Sequence, residues 1–362
     1  MKRILCILSA LTAGGAETFL MKVYRALPSD SYQLDFIVSE ENGCYTEEVL
    51  QRGGRIFLIP KRTENFYGAM KGIADVVREN KYEIVLKLGN PPVAGLDLIA
   101  ARIGGAKKLA MRSCNALTGL SLKNRCVDAI LRPILNVAAN VKLAPSMLAA
   151  EYTFGKRHAH KNVHLMHNGV DLDVFHFDAE GRRNIREEFS IQGRFVVGHI
   201  GRLHKQKNHR YLLEVFRGVR QCRPDAVLLL VGIGELEDAI RKWVHELKLE
   251  DAVIFTGQRF DIPHLLSAMD VFVFPSLHEG MPNTVIEAQA TGLPCVIADT
   301  ITPEADITGL VTYLPLTESK DAWVDTALSV ATEERRDTVS DFITHGYDIK
   351  TVAQELMELL CG

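Results

Sequence analysis

The chain has no run of about 18 or more apolar residues, so no segment is long enough to cross a membrane as a helix. It has no CxxC pair: Cys6, Cys44, Cys114, Cys126, Cys222, Cys295 and Cys361 are scattered and odd in number. That argues against a disulfide framework or a zinc site and for a reducing compartment. HExxH and GxSxG are missing, as are a Walker sequence and a complete GxGxxG, which leaves zinc-protease, α/β-hydrolase and P-loop chemistry without a carrier. No low-complexity tract is present either.

What is there fits a soluble globular protein, with 47% hydrophobic and 24% charged residues. A length of 362 residues exceeds one hydrophobic core, so two domains are expected. The start, MKRILCILSALTAGG, resembles a signal peptide only briefly. Its apolar part is short and runs into a glycine turn, which predicts a buried first strand instead. The net charge of −3 hides an asymmetry. Residues 1–167 hold 23 Lys and Arg against 14 Asp and Glu, or +9, and the remainder carries −12. A basic first half suits an anionic partner or is simply a solvated surface.

Short apolar runs alternate with helical patterns along the whole chain. RILCILSAL, YQLDFIVS, RIFLIP, YEIVLKLG, KKLAMRS and VKLAPS read as strands of a first parallel sheet. The pattern restarts after HNGVDLDVFHFD with FVVGHIG, AVLLLVG, AVIFTG, VFVFPS and PCVIAD. The expected fold class is α/β, with two Rossmann-like, doubly wound parallel-sheet domains over 1–167 and 168–345 facing a central cleft. A last amphipathic helix over 346–362 would pack on either domain, including back on the first. Ligands of such sheets bind beyond the carboxyl ends of the strands, so the loops there carry the candidate chemistry.

Four such loops stand out. TAGGAETF places Gly14 and Gly15 at a helix start, where exposed amides attract phosphate; a plain tight turn needs the same glycines. HIGRLHKQKNH offers Arg202 and Lys207, a guanidinium and an ammonium suited to a diphosphate. LLLVGIGELEDA has Gly232 and Gly234 but Glu237 at the third fingerprint position, which weakens a nicotinamide reading. SLHEGMPNTVIEAQATGLP sets Glu279 and Glu287 eight apart around a helix start near Asn283. A carboxylate accepts two hydrogen bonds and can grip both hydroxyls of a ribose. Thr284 and Glu287 also spell a capping box, so that reading stays open. Asp171 and Asp173 spell DxD, but in the interdomain turn rather than after a strand.

Taken together, these segments resemble the retaining GT-B-fold glycosyltransferases of family 4, most nearly the bacterial exopolysaccharide and capsule type. SLHEGMPNTVIEAQATGLP is similar to the family's EX7E segment, GRLHKQKNH to its phosphate-binding segment, GGAET to its first glycine loop and MHNGVD to its interdomain turn. The resemblance implies a hexosyltransferase using a nucleoside-diphosphate sugar such as a UDP-sugar, with no metal cofactor. By carry-over, Arg202 and Lys207 bind the diphosphate, Glu287 the ribose and Glu279 the donor sugar. Arg202, Lys207 and Glu279 form the catalytic set. Backbone at Gly280, Met281, Asn283 and Thr284 lies near sugar or phosphate, Gly14 and Gly15 approach the phosphate, and Arg259 and Phe260 meet the base.

One segment departs from the family. Where many members carry two histidines, as in HSHN, this chain has MRSCNAL, with Arg112 and Cys114 at those positions. Arg112 becomes a candidate for an acceptor phosphate, and Cys114 has no neighbouring base to activate it. The expected partners are the donor and a saccharide or lipid-linked saccharide acceptor, with peripheral membrane contact through the basic first domain and no nucleic acid. The expected place is the cytoplasm, at the inner face of the cell membrane. A non-catalytic nucleotide-sugar-binding protein of the same fold and an NAD-type oxidoreductase are the alternatives.

Overall fold

The structure, a computed structural model, describes residues 1–12, 14–41, 43–89, 92–114, 122–279, 281–331 and 334–362, without the side chains of 122–126. It divides into two compact units, Met1–Gly169 with Gly346–Gly362, and Val170–His345.

The first unit is built on strands β1 (Lys2–Ile7), β2 (Tyr32–Val38), β3 (Ile56–Leu58), β4 (Ile84–Leu88), β5 (Lys108–Arg112), β6 (Val141–Ala144) and β7 (His164–Leu165). They form one parallel sheet in the order β3-β2-β1-β4-β5-β6-β7. In β1, Ile4 and Cys6 enter one core and Leu5 and Ile7 the other, which is why the strand reads as a continuous apolar run. Helices Gly15–Ala26 and Ile349–Cys361 cover the first face, and Phe66–Asn80 and Ala94–Gly104 the second. The last helix buries Ile349, Val352, Ala353, Leu356, Met357 and Leu360 in the first-unit core. At roughly 1.5–3 kcal/mol per large apolar side chain, that is on the order of 10 kcal/mol of transfer free energy before ordering entropy is subtracted.

The second unit holds β8 (Val196–Ile200), β9 (Val227–Val231), β10 (Val253–Gly257), β11 (Val271–Phe274), β12 (Cys295–Ala298) and β13 (Val311–Leu314). Their parallel order is β10-β9-β8-β11-β12-β13. Val197, Leu228, Leu230, Val271, Val273 and Val296 pack against helices His209–Cys222, Glu237–Glu246 and Lys320–Val330. Neither β7 nor β13 has the continuous apolar run of the inner strands. β7 is two exposed residues and β13 a half-buried edge strand containing a threonine, so neither stands out in the sequence.

Both sheets reverse their strand order once, between β1 and β4 and between β8 and β11. Such a reversal parts the two following connections to opposite faces and opens a crevice at the carboxyl ends. The GGAET loop follows β1, and the GRLHKQK and SLHEG loops follow β8 and β11. The candidate chemistry of the second unit therefore lies on both sides of its crevice.

Candidate active site

At the second-unit crevice, Lys207 Nζ lies 2.7 Å from Glu279 Oε1. The Lys207 and Glu279 side chains are only 16% and 12% exposed, so this is a largely desolvated pair. Both sides of the pair are held locally. His204 accepts the Gln206 backbone N–H at 3.2 Å and starts the 3-10 turn Lys205–Lys207, which the left-handed Asn208 ends. Gln206 then ties the turn to the opposite loop. Its carbonyl accepts Leu277 N–H at 2.8 Å, and its side-chain amide donates to the His278 carbonyl at 2.7 Å. Ser276 Oγ is 2.8 Å from Glu279 Oε1 and 2.9 Å from the Gln206 carbonyl, and Thr300 donates to the Ser276 carbonyl at 2.8 Å.

Beneath the pair lies an aromatic layer. Lys207 Nζ stands 4.5 Å from the centre of the Phe274 ring, a cation–π arrangement. His199, fully buried, stacks on Phe272 and Phe274 and donates from Nδ1 to the Val273 carbonyl at 2.9 Å. Burial pushes the His199 imidazole well below its usual range. Burial and the Lys207 charge take His209 down to about 4. Both rings are therefore neutral near pH 7, and Lys207 is the cation of this layer.

Arg202 is 73% exposed, and its nearest carboxylate is Glu235, at 3.3 Å. Its loop packs on the glycines after β9. A Cβ at Gly232 would stand 2.1 Å from the Gly201 carbonyl oxygen, and Gly232 has a φ of +135°. A Cβ at Gly234 would stand 2.4 Å from the Leu203 carbonyl oxygen. These two glycines serve close backbone approach between neighbouring loops rather than a dinucleotide fingerprint.

The helix Asn283–Ala290 begins at Pro282, which caps it without a side-chain hydrogen bond. Thr284 is the second helical residue, so the capping box predicted for Thr284 and Glu287 does not form. A proline needs no partner for an N–H and sets the start earlier than the Thr-x-x-Glu pattern suggested. Glu287 is half-buried one turn into the helix, Met281 and Asn283 are half-buried at its start, and Gly280 lies outside the described residues. Arg259 is a clamp: it donates to Asp261 at 2.8 and 2.6 Å and to Glu188 at 2.5 and 2.9 Å, and these partners hold it above its usual pKa. The adjacent Phe260 side of the loop is open, with the residue 80% exposed. Asp171 accepts the Asp173 N–H at 3.1 Å, a local turn bond within the DxD. Among the described residues no group of three or more His, Cys, Asp or Glu could hold a metal ion.

In the first unit, Gly14 caps the helix Gly15–Ala26. A Cβ at Gly14 would stand 2.3 Å from Glu17 Oε2, while Gly15 faces open space. The Glu17 carboxyl thus folds over the amide-bearing turn, and burial raises its pKa. Arg112 overturns the acceptor-phosphate expectation. It is 1% exposed, donates to the Met166 carbonyl at 3.2 Å and Asn168 Oδ1 at 2.6 Å, and its guanidinium lies 3.5 Å from the Phe19 ring centre. It braces β5 against the Asn-Gly turn, and burial pushes it down to about 10, still charged at neutral pH. Cys114 is pushed up by burial, the reverse of an activated thiol. The rest of that loop, residues 115–117, lies outside the described residues.

Sequence reasoning missed Gln206, Ser276 and Thr300, which set the Lys207–Glu279 geometry. Their only signal is placement directly after β8, β11 and β12. It also missed a buried pair in the first unit, Lys87 Nζ to Asp97 Oδ2 at 3.1 Å, whose lysine interrupts the apolar run of β4.

Two Rossmann-like units with charged loops at the carboxyl-end crevices define the GT-B class of glycosyltransferases. Residues 13–174 match the model described as Glycosyltransferase Family 4, and residues 194–333 the model described as Glycosyl transferases group 1. The EpsF glycosyltransferase of Bacillus subtilis is 33% identical over 360 residues, spanning 96% of this chain and 93% of that relative. The Escherichia coli UDP-Gal:alpha-D-GlcNAc-diphosphoundecaprenol alpha-1,3-galactosyltransferase is 28% identical over 302 residues, or 79% of this chain and 76% of that one. Among solved structures, Anabaena HepE in complex with UDP-glucose superposes with a TM-score of 0.80 at 20% identity, covering 99% of both chains. The chain belongs to the family 4 glycosyltransferases, and it is a transferase enzyme.

Proposed function

We propose that this enzyme moves a hexosyl group from a UDP-sugar to a hydroxyl of a lipid-linked saccharide, with retention at the anomeric carbon, in the synthesis of a cell-surface polysaccharide. The observation that carries the reading is the Lys207–Glu279 pair at the crevice between β8 and β11. It sets a cation for the diphosphate beside a carboxylate for the sugar. The UDP-sugar donor and lipid-linked acceptor named for relatives support the substrate classes.

In this reading the bond from C1 to the leaving phosphate oxygen breaks first, and negative charge builds on the diphosphate. Lys207 and Arg202 stabilise that charge, the work a divalent metal does in other transferases. The Glu287 carboxylate accepts the two ribose hydroxyls, and Glu279 orients the sugar. Backbone at Met281, Asn283 and Thr284 faces sugar or phosphate, and Phe260, with Arg259 bracing its loop, meets the base. The turn at Gly14 and Gly15 offers backbone N–H groups suited to a phosphate. The acceptor oxygen attacks C1 from the face the diphosphate leaves, and its proton passes to the departing phosphate oxygen.

Because the acceptor is lipid-linked, the enzyme works in the cytoplasm as a peripheral protein at the inner membrane face; among the described residues no helix is long and apolar enough to span one. A thermal-shift screen of nucleotide sugars tests the donor, since a specific ligand raises the melting temperature by mass action. Turnover of the best donor followed by the anomeric configuration of the product tests the rest. An inverted product, or no donor hydrolysis with any nucleotide sugar, overturns the reading.

A further inference from the structure

The Glu279 carboxylate is held by one oxygen and open at the other. Oε1 takes a hydrogen bond from Lys207 Nζ at 2.7 Å and lies 2.8 Å from Ser276 Oγ. Oε2 makes no hydrogen bond among the described residues. The backbone beneath is fixed from two directions. Leu277 N–H and the Gln206 side chain tie the loop to the 3-10 turn. On the other side, Thr300 donates to the Ser276 carbonyl at 2.8 Å, and Glu279 itself forms an isolated parallel bridge with Ile301, just beyond β12. With the backbone clamped, the freedom left to Glu279 is in its side-chain torsions, and the two partners of Oε1 restrict them.

Those two partners are not equivalent. Lys207 is the cation for the diphosphate, so on donor binding its ammonium divides between Oε1 and a phosphate oxygen. Ser276 is 0% exposed and stays where it is. Its Oγ stands between two groups that only accept, Glu279 Oε1 at 2.8 Å and the Gln206 carbonyl at 2.9 Å. A hydroxyl has one proton and cannot serve both fully. The charged carboxylate is the stronger acceptor and takes the proton while Glu279 is in place. The carbonyl takes it when the carboxylate withdraws, so the buried hydroxyl keeps a partner in either state.

We propose that Ser276 is a positioning residue for the transfer step. It keeps Glu279 Oε1 fixed while Lys207 is drawn to the diphosphate, and so presents Oε2 to a hydroxyl of the donor sugar. The proposal rests on the reading of Glu279 as the group that orients the sugar, and it names what holds that group. The test is steady-state turnover of the UDP-sugar that the wild type uses fastest, beside titration with UDP alone. Four proteins are compared: wild type, Ser276→Ala, Glu279→Ala and the double variant. Ser276→Ala should lower kcat roughly tenfold to a hundredfold, the size of one hydrogen bond to a charged group. The donor KM and the Kd for UDP should stay within about threefold, because the diphosphate cation is untouched. In the Glu279→Ala background, adding Ser276→Ala should change kcat by less than about twofold, since Ser276 then has no carboxylate to hold.

A Ser276→Ala enzyme with kcat within about threefold of the wild type overturns the proposal. So does an equal further loss in the Glu279→Ala background, which would make Ser276 a structural residue that acts independently of the carboxylate. UDP affinity falling in step with kcat would mean a collapsed loop and overturns it too. In each of these outcomes the wild type turns over its donor, so the reading of the enzyme's function survives. Wild-type protein that turns over no UDP-sugar overturns that reading and the role of Ser276 together, so the two failures are distinguishable.

Discussion

Replacing Glu279 with Gln should tighten the binding of UDP while slowing sugar transfer. In the free protein Glu279 Oε1 is 2.7 Å from Lys207 Nζ. A diphosphate oxygen taking a hydrogen bond from that ammonium would sit about 3 Å from Nζ, and so roughly 5–6 Å from the Glu279 carboxylate. Two like charges at that distance, with an effective dielectric near 20, repel by about 3 kcal/mol, and screening in a partly open crevice leaves about 1–3 kcal/mol. Removing the carboxylate charge therefore strengthens UDP binding by about fivefold to a hundredfold. In the proposed mechanism Glu279 orients the sugar, so transfer should fall at least about tenfold, a loss felt in the transition state. Isothermal titration with UDP and initial rates of donor turnover measure the two effects separately. Equal or weaker UDP binding by a folded variant would refute the reasoning. The companion Lys207→Ala leaves the Glu279 charge largely desolvated, with Ser276 beside it. It should cost about 2 kcal/mol of stability, seen as a melting temperature lower by about 4–8 °C, and a tenfold to more than hundredfold loss of turnover.

Glu287→Gln should weaken donor binding by about tenfold and leave the free protein's melting temperature within about 2 °C, since no capping box is there to break; a large thermal loss with normal donor affinity would count against the ribose role. The His209 imidazole titrates near 4 in the folded protein and near 6.5 when unfolded. The unfolded chain thus binds the proton first, so its contribution of about 3 kcal/mol is complete above about pH 6.5 and is lost as pH falls toward 4. Urea midpoints between pH 7 and 4.5 check this, and the slope should flatten in His209→Gln. Gly232→Ala should destabilise by roughly 2–4 kcal/mol, because a Cβ there meets the Gly201 carbonyl and φ is positive; denaturant unfolding measures it.

The two sheets were legible because parallel strands buried on both faces read as plain apolar runs, and the loops after them could be named without coordinates. The Lys207–Glu279 pair was not: its members are 72 residues apart, and they meet only because β11 lies beside β8 in the strand order. Local patterns misled where one residue outside them decided the outcome. Thr284 and Glu287 fit a capping box, but Pro282 had already started the helix. Arg112 stands where many members of the family carry a histidine, yet it is the last residue of β5, and Phe19 and the Asn168 turn claim it. A buried arginine of this kind looks no different from an exposed one in sequence.

The helix Ile349–Cys361 gives the chain an order of assembly. As the polypeptide emerges from the ribosome, the second unit has all its residues by His345, while the first still lacks the helix that seals one face of its sheet. Phe19, Leu20 and Val23 share a core with residues that arrive more than three hundred positions later. The first unit is therefore begun before the second and completed after it, and it waits with an open hydrophobic face. A premature stop after residue 345 would spare the second unit and leave the first unit prone to aggregate.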